Sequence, residues 1–197
     1  MLVSATALMR YSGKKSWGTN MGDGTSINPW AKDEVPRHTY YGKDAVKKYE
    51  EMSGTKLNNA QKRIVEIEGF VNGYYKDHKG ILTYGVGQTG EYIQKGFQAA
   101  FEDKRDFVEN IFGPSGVVGE KMSTELIQLA FRGDIKPGYR WVKMFNEGDF
   151  EGASTELLNH QEYKEYKAAG KENSITKRLE VASNVMKTYK PIINTGG

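Results

Sequence analysis

The 197-residue sequence lacks cysteine and has only three histidines. The absence of cysteine excludes disulfides, thiolate nucleophiles and zinc sites built on sulfur. The histidines, His38, His78 and His160, are far apart in the sequence, and no pair has the short spacing that metal ligands usually share. We therefore expect no metal and no cofactor, and for each histidine an ordinary surface or hydrogen-bonded role.

Long hydrophobic runs are also missing from the sequence. No apolar stretch approaches the ~18 residues that a transmembrane helix needs. Residues 1–9 resemble a weak signal sequence, but no basic residue precedes this apolar stretch and Arg10 interrupts it. The sequence thus predicts neither a signal peptide nor stable membrane insertion.

A strong excess of one charge is absent as well, since 28 basic and 25 acidic residues give a formal net charge of +3. Residues 1–57 carry the whole excess, and residues 58–197 are balanced. Nucleic-acid-binding proteins usually concentrate basic residues on one face. We expect no nucleic-acid partner.

The N-terminal segment differs in composition from the rest of the chain. Residues 11–42 are rich in glycine, serine and asparagine and have little periodicity, which is typical of loops. We predict an N-terminal extension, residues 1–57, before a main domain, residues 58–197. The extension is interpreted either as a covering segment on that domain or as a docking module, because it holds more large aromatic residues than a linker needs: Trp17, Trp30, Tyr40 and Tyr41.

Hydrophobic periodicity predicts two helices before the first strands. The first begins at Asp44, ends before Gly54 and has one apolar side, formed by Ala45, Val46, Tyr49 and Met52. The second is predicted from about Asn58 to Val71, with Glu68 near its end. Strand-like pieces follow at 74–75 and 81–84, separated by a polar turn.

Beyond residue 90 the apolar spacing is helical almost to the end. Helices are predicted over about 97–112, from Ser123 as N-cap to about 130, and over 139–146, 149–168 and 174–189, with Asp149 and Ser174 as N-caps. This order of helices and strands along the chain predicts an α+β fold with two lobes. The small lobe holds a short antiparallel sheet, and the larger lobe is helical.

Two acidic residues at the junction of helix and strands could carry chemistry. Glu68 lies at a helix end among apolar residues, a setting that suits a carboxyl group holding a proton, and Asp77 lies nine residues later in a polar turn. Hydrolysis of a glycosidic bond uses such a pair, one carboxyl protonated and one ionised. Thr83 could hold a water beside Asp77. On composition alone, two surface charges remain the ordinary interpretation.

The segment around these residues resembles a known family. Residues 68–90 are similar to the active-site segment of the phage-type lysozymes, glycoside hydrolase family 24. That pattern is Glu-Gly, then Tyr-x-Asp, then Gly-x-x-Thr-x-Gly-x-Gly, and it is matched here by Glu68-Gly69, Tyr75-Lys76-Asp77, Gly80 and Thr83-Tyr84-Gly85-Val86-Gly87. A looser similarity extends the coverage to about residues 58–190, whereas residues 1–57 resemble nothing we recognise.

The resemblance implies an inverting N-acetylmuramidase with the lysozyme fold and a glycan cleft between its lobes. Glu68 would be the general acid, Asp77 would assist the attacking water and stabilise the transition state, and Thr83 would position that water. Inverting enzymes keep their two carboxyl groups ~6.5–9.5 Å apart. The resemblance also implies substrate-binding residues near the cleft, Phe131 and Arg132. The chain departs from the family at Gln88, where a histidine and its ion pair are usual, and at Arg132, which replaces a smaller polar residue.

The resemblance also implies the partner, which is the glycan strand of bacterial peptidoglycan. It leaves two settings open, a free endolysin in the host cytoplasm before its release to the wall, or a lysozyme carried in the phage particle. In the second setting residues 1–57 would bind phage structural proteins. The alternative function is a non-catalytic structural or wall-binding phage protein that retains the fold.

One further motif needs an interpretation. Residues 85–90 match the G-x-G-x-x-G pattern of dinucleotide-binding loops. That fold requires a second buried parallel strand after the following helix, and the sequence offers only Val117-Val118 there. Residues 113–119 also lack the pattern of a serine-hydrolase nucleophile elbow. We interpret the glycines of residues 85–90 as turn residues of the sheet.

Overall fold

The computed structural model describes residues 38–77, 80–171 and 174–191. In this part of the chain the fold is α+β, mostly helical with one small antiparallel sheet. The strands are β1 (Thr39–Tyr40), β2 (Phe70–Lys76), β3 (Leu82–Gly85) and β4 (Gln88–Thr89). The helices are α1 (Gly42–Ser53), α2 (Asn59–Glu68), α3 (Tyr92–Phe112), α4 (Ser115–Val118), α5 (Glu120–Arg132), α6 (Arg140–Asn146), α7 (Phe150–Leu157), α8 (Gln161–Ala168) and α9 (Ser174–Lys187). Helix α3 is interrupted at Gly96, whose φ of 84° and ψ of 173° are not helical.

The chain divides into two compact units, Met1–Ala100 and Phe101–Gly197. The described part of the first unit contains the sheet, in which the strands follow one another in the order β1-β2-β3-β4 and each neighbouring pair is antiparallel. Thr83 on β3 lies opposite Tyr75 on β2 and opposite Thr89 on β4. Directly opposed residues project from the same face of a sheet, so these three side chains share one face.

Helices α1 and α2 follow from their sequences. The four predicted apolar residues of α1, Ala45 to Met52, are buried, and Gly54 ends the helix in the left-handed conformation at φ 67°. Helix α2 begins with a reciprocal cap, in which Asn58 Oδ1 accepts from the Gln61 backbone N–H at 2.9 Å and Gln61 Oε1 accepts from that of Asn58 at 3.0 Å. The predicted end of α2 at Val71 is wrong, because Gly69 at φ 78° and ψ 177° stops the helix and the chain enters β2.

The core of the first unit is built around an aromatic cluster. The Tyr49 ring meets Phe70 edge-on at 5.6 Å between centroids and Phe97 at 5.5 Å. Tyr40 stacks on the Phe70 ring at 6.2 Å. Burial, with a smaller contribution from Tyr84, raises the pKa of Tyr49 to about 12. The cluster joins β1, β2, α1 and the start of α3.

The second unit is organised around α5, whose residues are buried over most of its length. Helix α9 packs against α5 and α7, and α6 packs against α7. Phe112 stacks on Trp141 at 5.8 Å and meets Phe145 edge-on at 5.3 Å. The predicted cap at Ser123 is wrong, since α5 begins three residues earlier and Ser123 is a buried residue within it.

The predicted helix 149–168 is two helices. Asp149 caps α7 as predicted, because its Oδ1 accepts from the Gly152 backbone N–H at 2.8 Å. Helix α7 then ends at Leu157, and extended backbone at His160 (ψ 132°) separates it from α8. No glycine or proline lies in residues 157–161, so the sequence pattern does not reveal this break.

The predicted extension is described only in part, because residues 1–37 lie outside the described residues. Its described part, residues 38–57, belongs to the first unit: β1 pairs with β2, and α1 packs against α2. The boundary at residue 57 stays a prediction. None of the described helices is long and apolar enough to cross a membrane.

Candidate active site

Glu68 is the last residue of α2 and is half-buried. Its position is fixed by Gly69, whose φ of 78° and ψ of 177° belong to a region that only glycine occupies readily. The Gly69 backbone N–H donates to the Val65 carbonyl at 2.9 Å, which closes the helix. A Cβ built on Gly69 would also lie 2.9 Å from the Tyr40 carbonyl oxygen. The Glu-Gly pair therefore needs glycine for two separate reasons.

Gly69→Ala should destabilise the protein by about 2–4 kcal/mol, because the backbone conformation costs about 1–3 kcal/mol and the methyl group meets the Tyr40 carbonyl. Gly54→Ala is the matched control, since Gly54 also has a positive φ but a Cβ there meets nothing within 4 Å. It should cost about 1 kcal/mol. Urea unfolding followed by circular dichroism compares the two variants. Equal losses would contradict the close approach at Tyr40.

Asp77 follows β2 and closes the turn to β3. Its backbone N–H donates to the Ile81 carbonyl at 3.0 Å, and its Oδ1 accepts from the Ile81 backbone N–H at 2.8 Å. The Gly80 N–H donates to the Asp77 carbonyl at 2.9 Å. These bonds hold the carboxylate at a defined place on the hairpin. His78 lies outside the described residues.

Thr83 is 2% exposed and lies two residues beyond the turn. Its Oγ1 donates to the Ile81 carbonyl at 2.9 Å. The hydroxyl proton is thus used within the hairpin, and the oxygen retains lone pairs that can accept a hydrogen bond. The predicted role of Thr83 in holding a water beside Asp77 stays a prediction.

Tyr75 is electrostatically influenced by both acidic residues, and the sequence interpretation gives it no role. Burial raises its pKa most, and the charges of Glu68 and Asp77 raise it further, as does Tyr41, whereas a hydrogen bond from the Gly87 backbone lowers it. Glu68 and Asp77 therefore both lie within electrostatic reach of one phenolic oxygen. The Tyr-x-Asp element of the motif was the signal that could have indicated Tyr75.

Gln88 occupies the position where the resembled family has histidine. The side chain is 5% exposed, and its Oε1 accepts from the Val86 backbone N–H at 2.9 Å. Its Nε2 is buried and has no hydrogen-bond partner among the residues that the structure describes. Gly85 beside it has φ 61°, a left-handed conformation that favours glycine, and a Cβ there would lie 2.6 Å from Gln88 Oε1. In this chain the side chain at position 88 supports the β3–β4 hairpin.

The β3–β4 hairpin also decides the interpretation of the G-x-G-x-x-G pattern. Gly85 and Gly87 have φ of 61° and 82° and connect two antiparallel strands. A dinucleotide-binding loop instead connects a strand of a parallel sheet to a helix. The glycines are turn residues, as predicted.

Phe131 and Arg132 belong to the second unit, at the end of α5. The Phe131 ring lies 6.5 Å from that of Phe101. Arg132 Nε donates to Asp134 Oδ2 and its Nη2 to Glu162 Oε2, each at 2.6 Å. Burial lowers the pKa of Arg132, but the hydrogen bonds and charges of Glu162 and Asp134 outweigh it and the net pKa is raised. The guanidinium thus ties the end of α5 to α8. The substrate-binding role of Phe131 and Arg132 stays a prediction.

Arg132→Gln should lower the free energy of unfolding by about 3 kcal/mol, because it removes the guanidinium beside Asp134, 5% exposed, and leaves that carboxylate only the more distant His160 Nε2, at 3.9 Å. Arg140→Gln is the control, since that side chain is 74% exposed and lies 3.9 Å from Glu156. An exposed pair contributes about 0–1 kcal/mol. Chemical denaturation of both variants tests this difference. An unchanged stability for Arg132→Gln would show that the ion pairs contribute little.

Among the described residues, no group of three or more histidine, aspartate or glutamate side chains could hold a metal ion. The first unit contains a carboxyl group at a helix end, a carboxylate on a hairpin and a phenol, Tyr75, whose pKa the charges of both acidic residues raise. That set can donate and accept protons.

No protein-family model, no curated protein and no solved structure matches the chain.

Proposed function

We propose that the chain is a lysozyme of the phage type, an N-acetylmuramidase that hydrolyses the β-1,4 bond between N-acetylmuramic acid and N-acetylglucosamine in peptidoglycan. The observation that carries the proposal is the placement of Glu68 at the end of α2 and of Asp77 in the turn after β2, where the charges of both act on Tyr75. Glycoside hydrolysis uses two carboxyl groups, one on each side of the bond that is broken. The similarity of residues 68–90 to the family segment supports the same pair.

In the proposed reaction Glu68 is the general acid and gives its proton to the leaving glycosidic oxygen. Asp77 accepts a proton from the attacking water and stabilises the positive charge that develops on the sugar ring. Thr83 accepts a hydrogen bond from that water. The bond from the anomeric carbon to the leaving oxygen breaks as the bond to water forms, with inversion. Tyr75 is a neutral phenol at neutral pH, and its raised pKa keeps it neutral in more alkaline solution.

The proposal includes the finer fold, a lysozyme arrangement of a sheet-bearing lobe and a helical lobe around a glycan cleft. It includes both settings named above, a free endolysin or a particle-borne enzyme. Detecting the protein in purified phage particles distinguishes the second setting from the first.

Clearing of purified peptidoglycan tests the activity. We expect the wild-type protein to reduce the turbidity of a suspension of isolated sacculi, and boiled protein to leave it unchanged. Binding to sacculi without any clearing would contradict the proposal and favour the alternative, a wall-binding protein without catalysis. His78→Ala should clear at the wild-type rate, since no role is assigned to His78.

A further inference from the structure

Tyr41 is a large aromatic residue with an unusually exposed side chain. It is 71% exposed, the highest value among the exposed large hydrophobic residues that the structure describes. It stands between β1 and α1, at the N-cap position of α1, where its side chain makes no capping hydrogen bond. Neither helix formation nor core packing requires an aromatic ring at this position.

The register of the sheet places Tyr41 beside Glu68. Tyr40 lies opposite Phe70 in the antiparallel pair β1–β2, so the next residue, Tyr41, comes level with Gly69. The position of the Tyr41 ring agrees with this register, because a Cβ built on Gly69 would lie 3.2 Å from Tyr41 Cδ1 and 3.4 Å from Tyr41 Cε1. One part of the ring thus rests on the backbone directly after Glu68, while most of the ring faces solvent.

The charge of Tyr41 also raises the pKa of Tyr75, as do the charges of Glu68 and Asp77. The contact that places Tyr41 is the one with Gly69, the residue directly after Glu68. Because Gly69 has no side chain, the Tyr41 ring can lie close to the backbone. The ring is therefore partly fixed before any ligand binds, which lowers the entropic cost of binding.

We propose that the exposed ring of Tyr41 is a stacking platform for one sugar of the glycan strand, at the edge of the site that contains Glu68. This inference rests on the proposed function. A pyranose ring presents a face of C–H groups, and an aromatic face carries the negative side of its quadrupole, so the two attract each other. The polar groups of the sugar can remain in water at this exposed position. The residue comes from the predicted extension, which would then complete the site.

Binding to insoluble peptidoglycan tests the platform without interference from cleavage. The full-length Glu68→Gln protein serves as the parent, and Tyr41→Ala, Tyr41→Leu and Tyr41→Trp are made in it. We expect the alanine and leucine variants to bind sacculi about threefold to tenfold more weakly than the parent in a co-sedimentation titration. The tryptophan variant should bind at least as well as the parent. Thermal unfolding temperatures should be nearly equal, since the ring is mostly outside the core.

Steady-state kinetics with Glu68 intact gives a second readout. On soluble glycan oligomers, Tyr41→Ala should raise KM by the same threefold to tenfold and change kcat less than about twofold, because uniform binding is lost. Binding of Tyr41→Ala within twofold of the parent, or equal binding by Tyr41→Leu, would overturn the platform. A different result would overturn the proposed function itself, namely that the wild-type protein does not cleave peptidoglycan at all.

Discussion

Replacing Glu68 by glutamine should slow the clearing of peptidoglycan by at least about 10²–10⁴-fold, the usual loss when a general acid is removed. Glutamine has the same shape as glutamic acid but no proton to give to the leaving oxygen. Glu68 is half-buried at the end of α2, and Gly69 sets the backbone there, so glutamine fits without rearrangement. The fold should therefore persist while the reaction is lost.

Glu66→Gln is the matched control for this prediction, because Glu66 lies on the same helix and is also half-buried. It should clear sacculi at close to the wild-type rate. Circular dichroism and thermal unfolding establish that both variants fold. Near-normal clearing by Glu68→Gln would refute the assignment of the general acid.

Two substitutions at Asp77 should abolish most of the activity but affect stability differently. Asp77→Asn and Asp77→Ala both remove the negative charge that assists the water and stabilises the transition state, so each should lose about 10²-fold or more in rate. Asparagine retains an oxygen that can accept from the Ile81 N–H, whereas alanine loses this 2.8 Å hydrogen bond. The alanine variant should therefore be less stable by about 1 kcal/mol, and the asparagine variant nearly unchanged.

Urea unfolding and turbidity measurements on the same preparations separate the two effects at Asp77. The decisive comparison is Asp77→Asn, which retains the turn and removes the charge. An active, stable Asp77→Asn protein would show that the carboxylate serves the hairpin alone. A parallel loss of activity and stability in both variants would assign the damage to the turn.

Helices whose ends and buried faces depend on neighbouring residues alone could be predicted from the sequence. The apolar side of α1 and its end at Gly54 follow from helical spacing and a glycine in the left-handed conformation. The predicted end of α2 is too late because Phe70 and Val71 continue its apolar pattern, although Gly69 has already changed the direction of the chain. Pattern alone does not reveal where a backbone dihedral changes sign.

The candidate site was predictable only as a motif. The spacing of Glu68, Asp77 and Thr83 indicated the residues but not what lies between them. Tyr41 comes beside Gly69 through the pairing of β1 with β2, which brings residues some 30 positions apart into contact and which composition does not encode. Glu162, one of the two partners of Arg132, lies 30 residues further on, and only the tertiary fold brings the two side chains together.

Analysis of the sugar ends released from purified peptidoglycan tests the central claim most directly. After digestion, borohydride reduction and mass spectrometry, the wild-type protein should yield newly formed reducing ends on N-acetylmuramic acid, and the Glu68→Gln protein should yield almost none. New ends on N-acetylglucosamine, or equal yields from the two proteins, would contradict the pairing of Glu68 with Asp77 as a muramidase site.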